Sequence, residues 1–354
     1  MNNFALPGGA LLLTLVCFSD ATAQKSEPVH VAKDAKSKKI DVFVGKELFT
    51  SFLYPDSLEK PVLYPLRAAN GTVVTRGFPL NPKPGDPTDH PHHIGLWFNF
   101  ENVNGLDFWN NSYAIAKEKK ANYGWVKTDK ILTINSGSTC VLAYHANWTN
   151  QQNEVLLEET TRFEFSGTAR ARTIDRITTL MAAREVIFND AKDGLLGLRL
   201  AHELQMPTNQ DQKFTDSKGI VTVVKAGTDH LANGNYLTSA GKRGNDAWSS
   251  RANWCKVYGK MAADSVSITI IDHPENPNYP TFWHARGYGL FAANPLGEKM
   301  FTNGKSVKNL QLKKGESVTF RYRVLIDDGR VTLTTKQLNE EAADFAKKSV
   351  ALGK

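Results

Sequence analysis

The sequence predicts a mainly β protein, a large antiparallel β-sandwich closed by one C-terminal helix. Three observations carry this expectation. Short runs alternate apolar and polar residues, as in Ile40-Asp41-Val42-Phe43-Val44 and Val318-Thr319-Phe320-Arg321-Tyr322-Arg323-Val324, which is the period of half-buried strands. Turn pairs punctuate these runs at Asn70-Gly71, Asn104-Gly105, Asp193-Gly194, Asn233-Gly234, Asn303-Gly304 and Asp328-Gly329, as antiparallel connections require. Helical periodicity is nearly absent before residue 334.

Taken in order, the apolar run Ala10-Leu11-Leu12-Leu13-Thr14-Leu15-Val16-Cys17 leads into Ala21-Thr22-Ala23, so residues 1–23 read as a secretory signal peptide too short to span a bilayer. A lipid anchor on Cys17 is the weaker alternative, because Leu15 and Val16 stand where small residues are expected. The mature protein is therefore expected to be periplasmic or extracellular. Residues 24–39, rich in Lys and Ser around Pro28, read as a flexible lead-in. Residues 40–354 contain no low-complexity linker and read as one domain. Within it, Leu338, Ala342, Phe345, Ala346 and Val350 recur at helical spacing, which predicts a helix over 334–351 that lays its apolar stripe on a sheet. No blade-length repeat suggests a propeller, so an extended sandwich, with a galactose-mutarotase-like arrangement as one form, accommodates the strands most simply.

Charge excludes some functions. The full 354-residue chain carries a net charge of +7, but its basic residues fall in short surface runs such as Lys117-Glu118-Lys119-Lys120, without the basic stripe that nucleic-acid binding needs. No segment after the leader is apolar enough to make an integral membrane protein. Cys140 and Cys255 could pair in an exported chain, although nothing in the sequence brings them together.

The segment richest in chemistry is Asp89-His90-Pro91-His92-His93-Ile94-Gly95-Leu96-Trp97-Phe98-Asn99-Phe100. Read as a strand, it puts Ile94, Leu96, Phe98 and Phe100 on a core face and His93, Gly95, Trp97 and Asn99 on a binding floor. A flat indole beside polar donors suits a sugar, which has an apolar C–H face and hydroxyls needing convergent hydrogen bonds. The triplet recurs in Asp272-His273-Pro274 and leads to Phe282-Trp283-His284-Ala285-Arg286-Gly287-Tyr288, where Phe282, His284, Arg286 and Tyr288 would share a face. The two triplets are expected to converge on one cleft. In Arg199-Leu200-Ala201-His202-Glu203, Arg199 and Glu203 would share a strand face, while Arg251 and Trp254 could close over a ligand. Trp97, Trp109 and Trp283 also have a plain reading as core, as do single histidines that cap loops.

The blocks Thr75-Arg76-Gly77-Phe78-Pro79, Asp89 to Phe98 and Asn104-Gly105-Leu106-Asp107-Phe108-Trp109 resemble a family of exported bacterial proteins of unknown function, DUF6807, also labelled "methane oxygenase PmoA". The resemblance runs from about Val42 to Ile326. That label belongs to an integral membrane subunit, and this chain lacks the apolar run such a protein needs, so methane oxidation is not expected. The family resembles a companion of sugar-oxidising and sugar-cleaving proteins, and it brings no catalytic residues with it.

The expectation that results is an exported carbohydrate-active enzyme, a hydrolase, lyase or epimerase. Its catalytic candidates are His92, His93, His284, Arg286 and Glu203, with His92 or His93 as acid/base and Arg286 with Asn99 holding hydroxyls or a developing oxyanion. Arg76, His90, Trp97, Asn99, Trp109, Arg199, Tyr288 and Arg251 are the substrate-binding candidates. A non-catalytic carbohydrate-binding protein and a metal-dependent oxygenase are the alternatives. No cofactor is required; a divalent metal, if any, would use His90, His92 and His273.

Overall fold

The computed structural model describes residues 1, 25–84, 86–215, 221–224, 229–329 and 332–348. The expected leader lies, from residue 2 onward, outside these, as do residues 349–351 of the expected helix. Two eight-stranded sheets, antiparallel throughout, make up the body. In spatial order the first sheet runs Val29–Asp34, Lys39–Val44, Glu47–Leu53, Val62–Leu63, Leu96–Phe100, Gly194–Arg199, Leu290–Asn294 and Phe282–Ala285. The second runs Asn235–Thr238, Trp254–Met261, Asp264–Asp272, Ser317–Asp327, Ala171–Ala182, Val155–Gly167, Cys140–Thr149 and Trp125–Ile134. The stretch read as a flexible lead-in thus contributes an edge strand, because Val29 finds a place in the core and Val31 and Ala32 pair with Val42 and Asp41.

One continuous core fills the space between the sheets. Leu96, Phe98 and Phe100 enter it as their alternation predicts, and Phe98 meets Trp148 and Phe320 of the opposite sheet at centroid distances of 6.4 and 5.8 Å. Ile94 does not follow them. Gly95 has a φ of +55°, which breaks the pleat before the strand begins, so Ile94 packs on the outer face with Trp97 and Trp109. Only glycine fits here, since a Cβ at Gly95 would stand 2.2 Å from the carbonyl oxygen of Leu63. The pairs Asn104-Gly105 and Asn303-Gly304 adopt the positive φ angles that tight turns require.

The C-terminal helix, Thr335–Phe345, begins at a capping box formed by Thr334 and Gln337. It covers the outer face of the second sheet, where Leu338 and Phe345 pack on Trp254, Ile271 and Leu325. Cys140 and Cys255 are both buried and unpaired by a disulfide.

The outer face of the first sheet carries the second apolar cluster, and Gly197 is its foundation. Trp97 pairs across the strands with Gly197, and both indoles lie over the bare glycine. A Cβ there would meet Trp97 at 2.5 Å and Trp109 at 2.7 Å. Gly197→Ala is expected to cost about 1–3 kcal/mol through overpacking, measured by chemical denaturation; an unchanged midpoint would show that the rings have room to move.

Candidate functional site

On this outer face the chain builds a column of rings that rises from the sheet to a cleft. Trp97, fully buried, supports His93 at 5.2 Å; His93 stacks on His90 at 4.8 Å and 5°; His90 stacks on Tyr288 at 5.4 Å and 7°. His92 meets His90 and His93 edge-on, at 5.6 and 4.3 Å. The cleft at the top has a volume of about 620 Å³ and is lined by Asp89, His90, His92, Tyr288, Asn245 and the segment Met206-Pro207-Thr208, with Lys213 on its wall. That volume suits a mono- or disaccharide-sized ligand.

Asp89 holds the column in place. Its carboxylate accepts from Arg76 at 3.0 Å and from Arg199 at 3.1 Å, both guanidiniums being buried, while its other oxygen is paired with Nδ1 of His90. Arg76 also donates to the backbone carbonyls of Pro87, Asp89, His90 and His93, which fixes the loop, including the positive φ of +47° at His90. Burial alone would push the Asp89 carboxyl upward. The hydrogen bond to His90 and the charges of Arg199 and Arg76 outweigh it and hold the group well below the usual carboxylate range.

An ionised Asp89 can only accept, so Nδ1 of His90 carries the proton and Nε2 is left as an acceptor. The His90 side chain is 42% exposed, and Nε2 makes no hydrogen bond among the described residues. His92 and His93 are different. Burial holds both well below the ordinary histidine value, with Lys60, His90 and the two arginines adding to the effect at His92, and His92, Arg199, His90 and Arg76 at His93. Both are neutral, and Nε2 of His92 is buried without a partner.

The other candidates fall in several places. Tyr288 lines the cleft on a turn held by the Tyr236 hydroxyl, which donates to the carbonyls of Arg286 and Leu290. Arg286 follows the strand Phe282–Ala285 rather than lying in it, and occupies a recess of about 250 Å³ beside the cleft with Trp248 and Asn245. Arg76 and Arg199 lie beneath the floor. Trp97, Trp109 and Asn99 are fully buried, with the Asn99 amide donating to the Phe108 carbonyl, so the expected binding floor is a support instead. Trp283 belongs to the core.

Several expectations are corrected. His284 is buried against Asp193 and Phe301 and does not line the cleft. Glu203 sits in a 3-10 turn, His202–Leu204, because the strand ends at Arg199. Arg251 clamps the carbonyls of Asn278, Tyr279 and Pro280 and lines a separate hollow, and Trp254 packs under the C-terminal helix, donating to Asn339. That second hollow also holds Asp272, while His273 packs edge-on against Phe345. The two triplets therefore do not share a cleft, and the donor set His90, His92 and His273 does not assemble. Among the described residues no group of three or more His, Cys, Asp or Glu is arranged to hold a metal.

Sequence reasoning missed Lys60. Its buried ammonium donates to the Trp109 carbonyl at 3.3 Å and lies 5.5 Å from the Trp97 ring, and burial lowers it to about 8. A lysine before Pro61 carries no signal of such a fate. Met206, Thr208, Lys213 and Asn245 were equally invisible, being polar or flexible residues of loops.

Comparison with known proteins gives a family and some distant structures. The model of the family of unknown function DUF6807 matches residues 39–343, and the chain belongs to that family. No curated protein matches it. Among solved structures, a galactose mutarotase-like protein from Clostridium acetobutylicum is 12% identical with a TM-score of 0.37, over 86% of this chain and 99% of that one. The Slr1438 protein of Synechocystis is 9% identical with a TM-score of 0.32, over 86% and 97%. A galactose mutarotase-like protein from Lactobacillus casei is 11% identical with a TM-score of 0.33, over 84% and 99%.

Two outcomes follow for stability. Asp89→Ala strands two buried guanidiniums and is expected to cost about 3–5 kcal/mol in urea denaturation; a loss below about 1 kcal/mol would mean that the loop opens to water at little cost. The depressed His92 and His93 set a pH dependence whose sign is fixed. Below about pH 6.5 the unfolded chain takes up protons on these rings while the folded rings stay neutral, so acidification favours unfolding. Between pH 6.5 and 5, His93→Gln is expected to flatten the stability profile by up to about 1.4 kcal/mol per pH unit, read from denaturation curves across that range.

Proposed function

We propose that this member of the DUF6807 family is a carbohydrate-active enzyme that moves a proton on a sugar bound in the cleft beside His90 and Tyr288, in a hydrolase, lyase or epimerase reaction. The observation that carries the reading is the Asp89-His90 pair. A buried carboxylate fixes the tautomer of an imidazole, two flanking rings fix its plane, and its second nitrogen is left without a partner beside a ligand-sized cleft. These are the requirements of a general base: geometry first, then a set tautomer. The acid/base role thus falls to His90, with the neutral His92 beside it as a hydrogen-bonding partner for a hydroxyl.

The sugar part of the proposal rests on the character of the walls. Met206 and Pro207 offer apolar surface, and Thr208, Asn245, His90 and His92 offer donors and acceptors around it, a mixture that matches a ring with one C–H face and several hydroxyls. Export to the periplasm or beyond, as the leader suggests, fits a glycan as the substrate.

Purified protein screened against a glycan panel, with products followed by mass spectrometry, tests this reading. His90→Gln is expected to lower turnover by roughly 10²–10⁴-fold while affinity for the same glycan changes little. Glycan binding with no product over long incubation would replace the enzyme with a non-catalytic binder, and turnover unchanged in the variant would remove His90 from the chemistry.

A further inference from the structure

We infer that the recess beside the cleft, walled by Arg286, Trp248 and Tyr288, is a subsite for the carboxylate of an acidic sugar, a uronic acid residue. This rests on the carbohydrate reading above and narrows its substrate class.

The guanidinium of Arg286 is unusual among the arginines around the cleft. Arg76 and Arg199 are spent on Asp89. Arg286 instead lies 5.5 Å from the Trp248 ring centroid and 5.7 Å from that of Tyr288, and among the described residues its side chain has neither a hydrogen bond nor a carboxylate partner. It is half-buried, so it has given up part of its hydration without gaining an ion pair. Ring faces hold the guanidinium while leaving its N–H edges available, which is the state suited to a planar, bidentate carboxylate. Trp248 is partly exposed beside it and offers a face for the C–H side of the sugar ring that bears that carboxylate.

The charge of the surroundings points the same way. Among the described residues lining the cleft and its recess, Asp89 is the sole carboxylate, and it faces two buried guanidiniums, which leaves an excess of positive charge under the floor. Lys213 adds a further cation on the wall. Asp193, whose charge is felt at Tyr288, is paired with Lys192 at 3.5 Å. A partly desolvated cleft of one sign attracts a ligand of the other and discriminates against an isosteric neutral one.

The test compares oligosaccharides containing glucuronate or galacturonate with the same molecules after reduction of each carboxyl to the alcohol, by titration calorimetry on the full protein. The acidic forms are expected to bind roughly tenfold or more tightly. Arg286→Gln should abolish that preference and leave the affinity for the reduced forms within about twofold. Equal affinity for acidic and reduced forms in the unaltered protein overturns the inference while leaving the carbohydrate reading in place. A preference that survives in Arg286→Gln places the carboxylate elsewhere and overturns it too. A sulfated oligosaccharide that binds more tightly than its uronate counterpart would assign the recess to another anion. Binding of neither form overturns the inference, while the carbohydrate reading stands or falls by the glycan panel. The comparison of acidic with reduced ligand needs no variant, so equal affinity overturns the inference even if Arg286→Gln fails to fold.

Discussion

Everything above the outer face of the first sheet depends on one buried carboxylate. Asp89 lies in a loop with no regular structure, beside the apolar cluster on the outer face of the first sheet. Burying an acid there is costly, and the cost is offset because two buried guanidiniums converge on it. Arg199 ends a strand of the sheet and Arg76 enters from the segment that bridges to Leu200 through Thr75, so the carboxylate is tied to the rigid scaffold at two points. Arg76 also donates from its two terminal nitrogens to the loop backbone. The loop has little freedom left, and neither has the imidazole that follows Asp89.

The ring column translates that rigidity into a site. Each ring is positioned by the one beneath: Gly197 gives Trp97 a flat seat, Trp97 supports His93, and His93 supports His90. Burial keeps the inner imidazoles neutral, so cationic repulsion does not break the stack. Polarity therefore increases outward along the column, from indole to neutral imidazole to an imidazole hydrogen-bonded to an anion. The imidazole with an open nitrogen is the one that meets the cleft.

The sandwich, the closing helix and the inner face of Leu96–Phe100 were legible because they rest on local periodicity. Alternation of Leu96, Phe98 and Phe100 needs no knowledge of distant partners. The limits appear where a single backbone angle or a long-range contact decides. Gly95 shifts Ile94 to the outer face by its positive φ, and a glycine in an apolar run does not announce its angle. Arg199 and Asp89 are 110 residues apart, so their pairing is invisible in sequence, and Arg199 read instead as a ligand contact. Trp97 and Trp109 looked like a platform for a sugar, but each covers the other.

The repeated Asp-His-Pro triplet shows why a motif carries so little chemistry on its own. Asp89 faces two guanidiniums and stays ionised; Asp272, also buried, has no cation within an ion-pair distance among the described residues and accepts instead from the Asn276 amide and the Thr281 backbone. Burial therefore dominates at Asp272 and raises it to about 7. The histidines diverge in step with their neighbours. His90 is held open by its anion and its left-handed backbone, while His273 turns its ring against Phe345 of the covering helix. Three identical residues thus make a buried ion-paired cluster with an open imidazole in one place and a helix seat in the other, and the deciding difference is whether arginine reaches the carboxylate.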